Sequence, residues 1–391
     1  MKRVLMLASV ASMIDQFNMP NIALLQKLGY EVDVACNFIE GNTCSDERVA
    51  ELKQKLQDMH VRCYQIDFAR NIKHMGQNMR ALRQVEGLMK QNGYAFCHCH
   101  SPIGGVVARI AGHRTKTKVI YTAHGFHFYQ GAPVMNWLVY YPVEKMLSRW
   151  TDVLITINHE DYKLAKKKFK MKKLTYVPGI GIDSQRECLS QNEKEEKRKE
   201  LGIPKNAFVI TNAAEFTPNK NQKTVIEAIE SLDNPNIYFV MCGIGEKKAE
   251  LEAYVKEQGL QEHIRFVGFR TDLHEILQAS DCFVLSSFRE GLSVALMEAM
   301  AEGLPVVCGR IRGNVDLIKE GKGGILVSPG NKEDYEAAFR KLYEMKYKEL
   351  TDFQRMGHIN AENVKSFGRS AVERLMAVSY THLTLPTTER V

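Results

Sequence analysis

The sequence has no apolar run long enough to cross a membrane. Hydrophobic residues make up 45% of its 391 positions but are interrupted throughout, whereas a spanning helix needs about 20 in a row. It also lacks any Asp-x-Asp triplet, a common way of holding a metal against a nucleotide phosphate, so no metal and no other cofactor is expected. The nine cysteines are an odd, scattered set, and Cys36, Cys242, Cys282 and Cys308 sit inside apolar runs. That excludes a disulfide framework and reads as buried thiols in a reducing compartment. Lys2-Arg3 opens straight onto Val4–Leu7, a run of strand length without the longer apolar core of a secretion signal, so a cytoplasmic protein is expected. There is no repeat at a solenoid period. Acidic residues are sparse in the first part. Residues 1–180 carry 25 Lys+Arg against 14 Asp+Glu (+11), and residues 181–391 carry 28 against 32 (−4), which sums to +7. A basic first half suits an anionic surface or a phosphorylated substrate. Its densest run is Lys163–Lys173, KLAKKKFKMKK, with seven lysines. The interleaved Leu164, Phe169 and Met171 point to an interfacial patch. No recognised nucleic-acid-binding context surrounds it, so no nucleic-acid partner is expected.

What is present is a steady alternation. Strand-like runs at Val4–Leu7, Glu31–Ala35, Ala95–Cys99, Val119–Thr122 and Val153–Ile157 are separated by helix-like stretches. A second series runs through Phe208–Asn212, Ile237–Met241, Ile264–Val267, Cys282–Leu285, Val306–Val307 and Gly324–Val327. Such βα alternation predicts α/β units with doubly wound parallel sheets, and its recurrence in a chain this long predicts two of them. The turn-rich Pro178–Asp183 and the polar stretch up to Phe208 mark the junction. The expected division is 1–180, 181–358, and a C-terminal helix over 359–378 that rejoins the first domain. Two open sheets facing across a cleft would place a ligand beyond the carboxyl ends of their strands. The last thirteen residues, SYTHLTLPTTERV, break the helical pattern, and 379–391 is set aside as an atypical tail.

The stretch Ser286–Val307, SSFREGLSVALMEAMAEGLPVV, concentrates the chemistry. An apolar strand leads to Glu290 and a Gly291 turn, and Ser293 is a natural N-cap for a helix from Val294 to Glu302. Gly303-Leu304-Pro305 ends that helix. Free amides at a helix start, with its positive dipole end, favour a phosphate. Glu290 would stand in the loop before it and Glu298 one to two turns in. A carboxylate, unpaired amides and a second carboxylate around one point suit a sugar joined to a nucleoside diphosphate. The Cys97–His100 run, CHCH, does not suit a metal: strand alternation sends the cysteines and the histidines to opposite faces.

These residues resemble the E-x7-E signature of retaining, family 4 glycosyltransferases of the GT-B fold, and the resemblance runs on over residues 1–375. Ser9–Phe17 is similar to the family's opening segment, Tyr121–Phe126 to T-x-H-G, and Val177–Asp183 to its interdomain V-P-x-G segment. Gly243–Glu246 resembles its G-x-G after a strand, and Val267–Asp272 its V-x-F-L-G-x-R-x-D. The resemblance implies roles. Glu290 and His124 would contact the donor sugar, the two forming the catalytic set. Glu298 would hold the ribose, and the amides around Gly291, Leu292, Ser293 and Val294 the distal phosphate. Lys220, in Thr217–Asn221, would neutralise the pyrophosphate, with Gly243, Phe269 and Arg270 bordering base and pyrophosphate. One departure stands out: Glu215 lies where many relatives have an arginine, so Arg310 or Arg312 would have to supply that charge. Asp316 stands where many have glutamate. His100, before Ser101-Pro102, would line the cleft.

The implied activity is transfer of a hexose or N-acetylhexosamine, from a donor expected to be UDP-linked, to a saccharide on a polyprenyl-diphosphate lipid in surface-polysaccharide synthesis. The expected setting is peripheral, at an anionic membrane surface on its cytoplasmic side. The competing readings are a nucleotide-sugar 2-epimerase of the same fold and a non-catalytic binding protein.

Overall fold

Eleven of the strands among the described residues form on the apolar-rich runs noted above, because a strand covered on both faces favours apolar residues along its length. The computed structural model describes residues 2–42, 44–69, 74–183 and 187–383. They divide into two units, 1–181 with 370–391, and 182–369.

Unit 1 holds a seven-stranded sheet of β1 (Lys2–Val10), β2 (Tyr30–Asn37), β3 (Arg62–Gln65), β4 (Phe96–His100), β5 (Lys118–Ala123), β6 (Val153–Thr156) and β7 (Lys173–Tyr176). All pairings are parallel, in the order β3-β2-β1-β4-β5-β6-β7. Along β1 the alternation is clean: Val4, Met6 and Ala8 enter one core layer, while Leu5 and Leu7 enter the other. The edge strands β3 and β7 are absent from the apolar runs noted above. Their sequences, RCYQ and KLTY, are exposed or half-buried, so they lack the apolar signature of central strands. Leu164, Phe169 and Met171 correct a second expectation: they pack into the core rather than forming an interfacial patch, and of the run only lysines (Lys163, Lys166, Lys167, Lys168, Lys170 and Lys172) stay exposed.

Unit 2 holds a six-stranded parallel sheet of β8 (Phe208–Ala213), β9 (Ile237–Cys242), β10 (Ile264–Gly268), β11 (Cys282–Leu285), β12 (Val306–Gly309) and β13 (Gly324–Val327). The order is β10-β9-β8-β11-β12-β13. In each unit the strand order reverses at one place, between β1 and β4 and between β8 and β11, which opens a crevice at the carboxyl ends of those neighbours.

The carboxyl-terminal helices depart from the expected single helix over 359–378. Leu350–Val364 stays with unit 2, a short turn spans Lys365–Phe367, and a new helix, Arg369–His382, packs on unit 1. The first is anchored by buried Asn360, whose Nδ2 donates to Leu304 O at 2.7 Å and Gly323 O at 2.6 Å. Gly357 also lies so close to the Gly303 carbonyl that a Cβ there would meet it at 1.8 Å. The presumed tail likewise begins too early at 379. Ser379 and Tyr380 are fully buried, and Tyr380 reaches His98 Nδ1 at 3.0 Å. The rest of that stretch, 384–391, lies outside the described residues.

Removing the Tyr380 hydroxyl (Tyr380→Phe) leaves His98 Nδ1 unpaired in a dry site. It should cost unit 1 about 1–3 kcal/mol. Urea unfolding followed by tryptophan fluorescence reads this directly, because both tryptophans, Trp137 and Trp150, lie in unit 1.

Candidate active site

Unit 2 brings its candidate residues together at the crevice between β8 and β11. The loop after β8 and the loop after β11 are tied along their backbones. Phe288 N donates to Asn219 O at 2.8 Å, Asn219 Nδ2 to Arg289 O at 3.0 Å, and Ser286 Oγ to Lys220 O at 2.7 Å. Asn221 Nδ2 adds a bond to Pro329 O at 2.7 Å, reaching the end of β13. Asn221 sits at φ +52°, a left-handed conformation that asparagine tolerates better than most residues. Asn219 and Asn221 were not singled out from the sequence. Their signal was the polar Thr217–Asn221 loop itself, of which only Lys220 was assigned a role. Within this clasp Lys220 Nζ meets Glu290 Oε1 at 2.6 Å, both side chains mostly buried.

The neighbouring loops are fitted as closely. Ala214 N donates to Cys242 O at 3.0 Å, Phe216 N to Ile244 O at 2.9 Å, and Gly243 N to Gly268 O at 2.7 Å. This zipper needs its glycines: a Cβ on Gly243 would lie 2.0 Å from Ala214 O, and one on Gly245 would lie 2.5 Å from Phe216 O. On the other side, a Cβ on Gly313 would lie 2.4 Å from Gly291 O. Ser293 caps the helix Val294–Ala301, accepting from Leu296 N at 3.3 Å. The helix therefore begins at Val294, four residues after Glu290, with half-buried Glu298 further along it. Phe269 is 74% exposed at the end of β10, and Ile244 is exposed beside Gly243.

The arginines sort themselves by their partners. Arg312 is buried and its Nε donates to Glu290 O at 3.3 Å, which puts it at the site. Arg310 is paired with Glu320 instead, and donates to Leu326 O at 3.4 Å. Arg270 is held by both Asp272 oxygens, at 2.7 and 2.6 Å, and by Glu200 at 2.6 Å. Those bonds hold its guanidinium charged and push the Asp272 carboxyl well below the usual carboxylate range. Its charge is thus committed to the carboxylates of Asp272 and Glu200. Glu215 is exposed on the rim, and its carbonyl accepts from Gln222 Nε2 at 3.1 Å.

In unit 1, His124 follows β5 and His100 ends the adjacent β4, with His100 Nδ1 and His124 Nε2 3.0 Å apart. His98 lies behind them. Its ring is 4.2 Å from that of His100, and its nitrogens pair with Tyr380 OH at 3.0 Å and Thr122 Oγ1 at 2.8 Å. His100, His124, Thr122, Phe17 and Asn21 border a cavity of about 20 Å³. Burial holds all three rings neutral, pushing His98 down to about 3 and His124 down to about 4. His100 falls well below the usual histidine range, from burial first and then from His98 and His124. An uncharged His124 can give or accept a hydrogen bond but does not serve as a cation. His98 and Tyr380 were not anticipated as its support, because the CHCH run reads only as strand alternation.

Comparison with known proteins gives the chain's relatives and its fold. Residues 22–186 match the family described as Glycosyltransferase Family 4, and residues 193–358 match Glycosyl transferases group 1. A Bacillus subtilis (strain 168) protein, provisionally named glycosyltransferase EpsD, is 34% identical over 397 residues, covering 100% of this chain and 99% of its own. An Escherichia coli enzyme, UDP-Gal:alpha-D-GlcNAc-diphosphoundecaprenol alpha-1,3-galactosyltransferase, is 33% identical over 258 residues, 64% of this chain and 66% of its own. Among solved structures, Anabaena Alr3699/HepE in complex with UDP and glucose superposes with a TM-score of 0.77 at 18% identity, over 98% of this chain and 100% of its own. WaaG, a glycosyltransferase involved in lipopolysaccharide biosynthesis, superposes with a TM-score of 0.68 at 17% identity, over 99% and 100%. Both likenesses are of fold, and that fold is GT-B.

The depressed histidines make unit 1 acid-sensitive. In the unfolded chain each takes up a proton below its ordinary value of about 6.5, while in the folded unit it does so only near 4 or below. The stabilisation is therefore complete above about pH 6.5 and drains away as pH falls, by up to about 1.4 kcal/mol per pH unit for each histidine. Urea midpoints by tryptophan fluorescence should drop between pH 7.5 and pH 5. A flat profile would mean that the cluster charges while folded.

Proposed function

The chain belongs to the family 4 glycosyltransferases, and we propose that it is a retaining enzyme that carries a hexose or N-acetylhexosamine from a UDP-sugar to a saccharide on a polyprenyl diphosphate, in surface-polysaccharide assembly. The observation that carries this reading is the Lys220–Glu290 pair, clasped at the reversal point of the second sheet beside a capped helix start. The name of the Escherichia coli relative supports the UDP donor and the lipid-linked acceptor for that protein. Its α-linked product is also what retention gives from an α-linked nucleotide sugar.

In this reading, a diphosphate entering the crevice competes for Lys220 and frees Glu290 to accept from hydroxyls of the donor sugar. The bond between the sugar's anomeric carbon and the diphosphate oxygen breaks. The acceptor oxygen bonds to that carbon on the same face, and its proton passes to the departing phosphate. Charge gathering on the distal phosphate is met by the amides at Leu292–Val294, by Lys220 and by Arg312, which takes the place of the arginine replaced by Glu215. These groups need no metal. Glu298 holds the ribose, Gly243 and Phe269 border the base, and neutral His124 hydrogen-bonds the donor sugar. His100 fixes the orientation of His124. A lipid-linked acceptor places the enzyme peripherally at the cytoplasmic face of an anionic membrane. Among the described residues no helix is long and apolar enough to cross it.

Lys220→Ala and Glu290→Ala should each lower kcat/KM by about 100-fold or more, since each removes a group that acts on the reacting donor. Lys220→Ala should also weaken UDP binding, whereas Glu290→Ala should leave it within a few-fold. A panel of nucleotide sugars read by thermal shift identifies the donor, with stabilisation of about 2.7 kcal/mol at a hundred times Kd. No response to any UDP-sugar would sink the donor assignment. Epimer formed from donor alone, without acceptor, would establish the epimerase reading in its place.

A further inference from the structure

Three neutral histidine rings follow one another in unit 1, His98, His100 and His124. A neutral imidazole has one donor nitrogen and one acceptor nitrogen, and the partner of the first decides the role of the second. Of the three, only His124 is not fully buried. Phe17 packs on its ring at 5.6 Å and His100 takes its Nε2, so Nδ1 is the nitrogen left for a ligand. Whether Nδ1 gives or accepts a hydrogen bond depends on which of the two facing nitrogens, His100 Nδ1 or His124 Nε2, holds the proton between them.

His100 is 1% exposed, and its Nε2 is buried with no hydrogen-bond partner among the described residues. With Thr122 and Asn21 it borders the cavity of about 20 Å³, whose wall is otherwise largely apolar, with Phe17, Ile155 and Met376. That is room for one water. The hydrogens behind Thr122 fix how such a water is met. Tyr380 is fully buried, and among the described residues its hydroxyl has one partner, His98 Nδ1 at 3.0 Å. Buried donors are orphaned less often than buried acceptors, so Tyr380 donates and His98 holds its own proton on Nε2. His98 Nε2 donates in turn to Thr122 Oγ1 at 2.8 Å. The Thr122 hydroxyl hydrogen is then left to turn into the cavity. Asn21 has Oδ1 to offer there, since its Nδ2 donates to Asn18 Oδ1 at 3.2 Å.

The same preference orients His100. A proton on its Nε2 would leave a buried N–H against a mostly apolar wall. A proton on its Nδ1 instead makes Nε2 an acceptor, which the Thr122 hydrogen reaches through one water. Nδ1 then donates to His124 Nε2 at 3.0 Å. With Nε2 accepting, His124 carries its own proton on Nδ1. We propose that His100 is a positioning residue that holds His124 as an Nδ1–H donor, so that His124 takes an oxygen lone pair of the substrate and accepts nothing from its hydroxyl hydrogens or amines. That the substrate is a nucleotide sugar rests on the function proposed above; the direction of the bond does not.

Long-range proton–nitrogen NMR spectra of the full chain, with nitrogen-labelled histidine and peaks assigned by replacing one histidine at a time, test it. Protonated and bare ring nitrogens resonate far apart, so the spectra read each tautomer directly. His98 should hold its proton on Nε2, and His100 and His124 on Nδ1. His100→Leu keeps the bulk and removes the donor. His124 should then populate both tautomers, and kcat/KM should fall by about tenfold, what one hydrogen bond is worth. His100→Asn, smaller but with an amide N–H, should restore both. Packing alone would rank the two variants the other way round, since a dry site favours leucine over an amide. Both should leave UDP binding within a few-fold. A wild-type His124 with its proton on Nε2 overturns the proposal, as does a His100→Leu variant unchanged in tautomer and rate. The expected tautomers in a chain that transfers sugar from no UDP-sugar would instead count against the proposed function alone.

Discussion

Everything in the candidate donor site hangs on the clasp between the loops after β8 and β11. These strands are neighbours in the sheet, yet 68 residues lie between Ala213 and Cys282, so only the parallel order brings them side by side. Asn219, Asn221 and Ser286 then convert nearness into fixed geometry through bonds to backbone groups rather than to one another's side chains. Backbone partners do not swing between rotamers. Lys220 and Glu290 are thus presented from loops that are stiff despite carrying no regular structure. The glycines at 243, 245 and 313 extend the same logic outward, since each allows one loop's backbone to lie against another's.

Much of this was legible in the sequence, and the reason differs from place to place. The strands of unit 2 were visible because burial on both faces leaves an unbroken apolar run such as Cys282–Leu285. The cap at Ser293 was visible because capping is local chemistry. The edge strands β3 and β7 were not visible, since none of their residues is buried. The fate of Arg270 was equally hidden: nothing local says that Asp272 and Glu200, one of them 70 positions away, will take its charge. The same holds for the choice between Arg310 and Arg312. Arg310 is taken by Glu320, and Arg312 is drawn to the Glu290 carbonyl, a partner that exists only once the clasp has formed.

The two units solve the problem of buried polarity in different ways. In unit 2 buried charge is paired, as in Lys220–Glu290. In the histidine cluster of unit 1 charge is suppressed, and Thr122 and Tyr380 supply hydroxyl partners for a neutral His98 ring. A neutral ring keeps its directional hydrogen bonds while avoiding repulsion between imidazoles packed 4.2 Å apart. Arg109–Glu144 follows the paired solution within unit 1, with contacts of 2.7 and 3.1 Å.

The return of the helix Arg369–His382 to unit 1 has a consequence for synthesis. Val372, Met376 and Tyr380 cover the sheet face that bears Phe96 and His98, yet the 188 residues of 182–369 are made before them. At about 5–20 residues per second, a nascent chain carries that face uncovered for roughly 10–40 s. Unit 2 has its whole sequence available during that wait and can fold first. The order of emergence from the ribosome is therefore the reverse of the order in which the two cores can close.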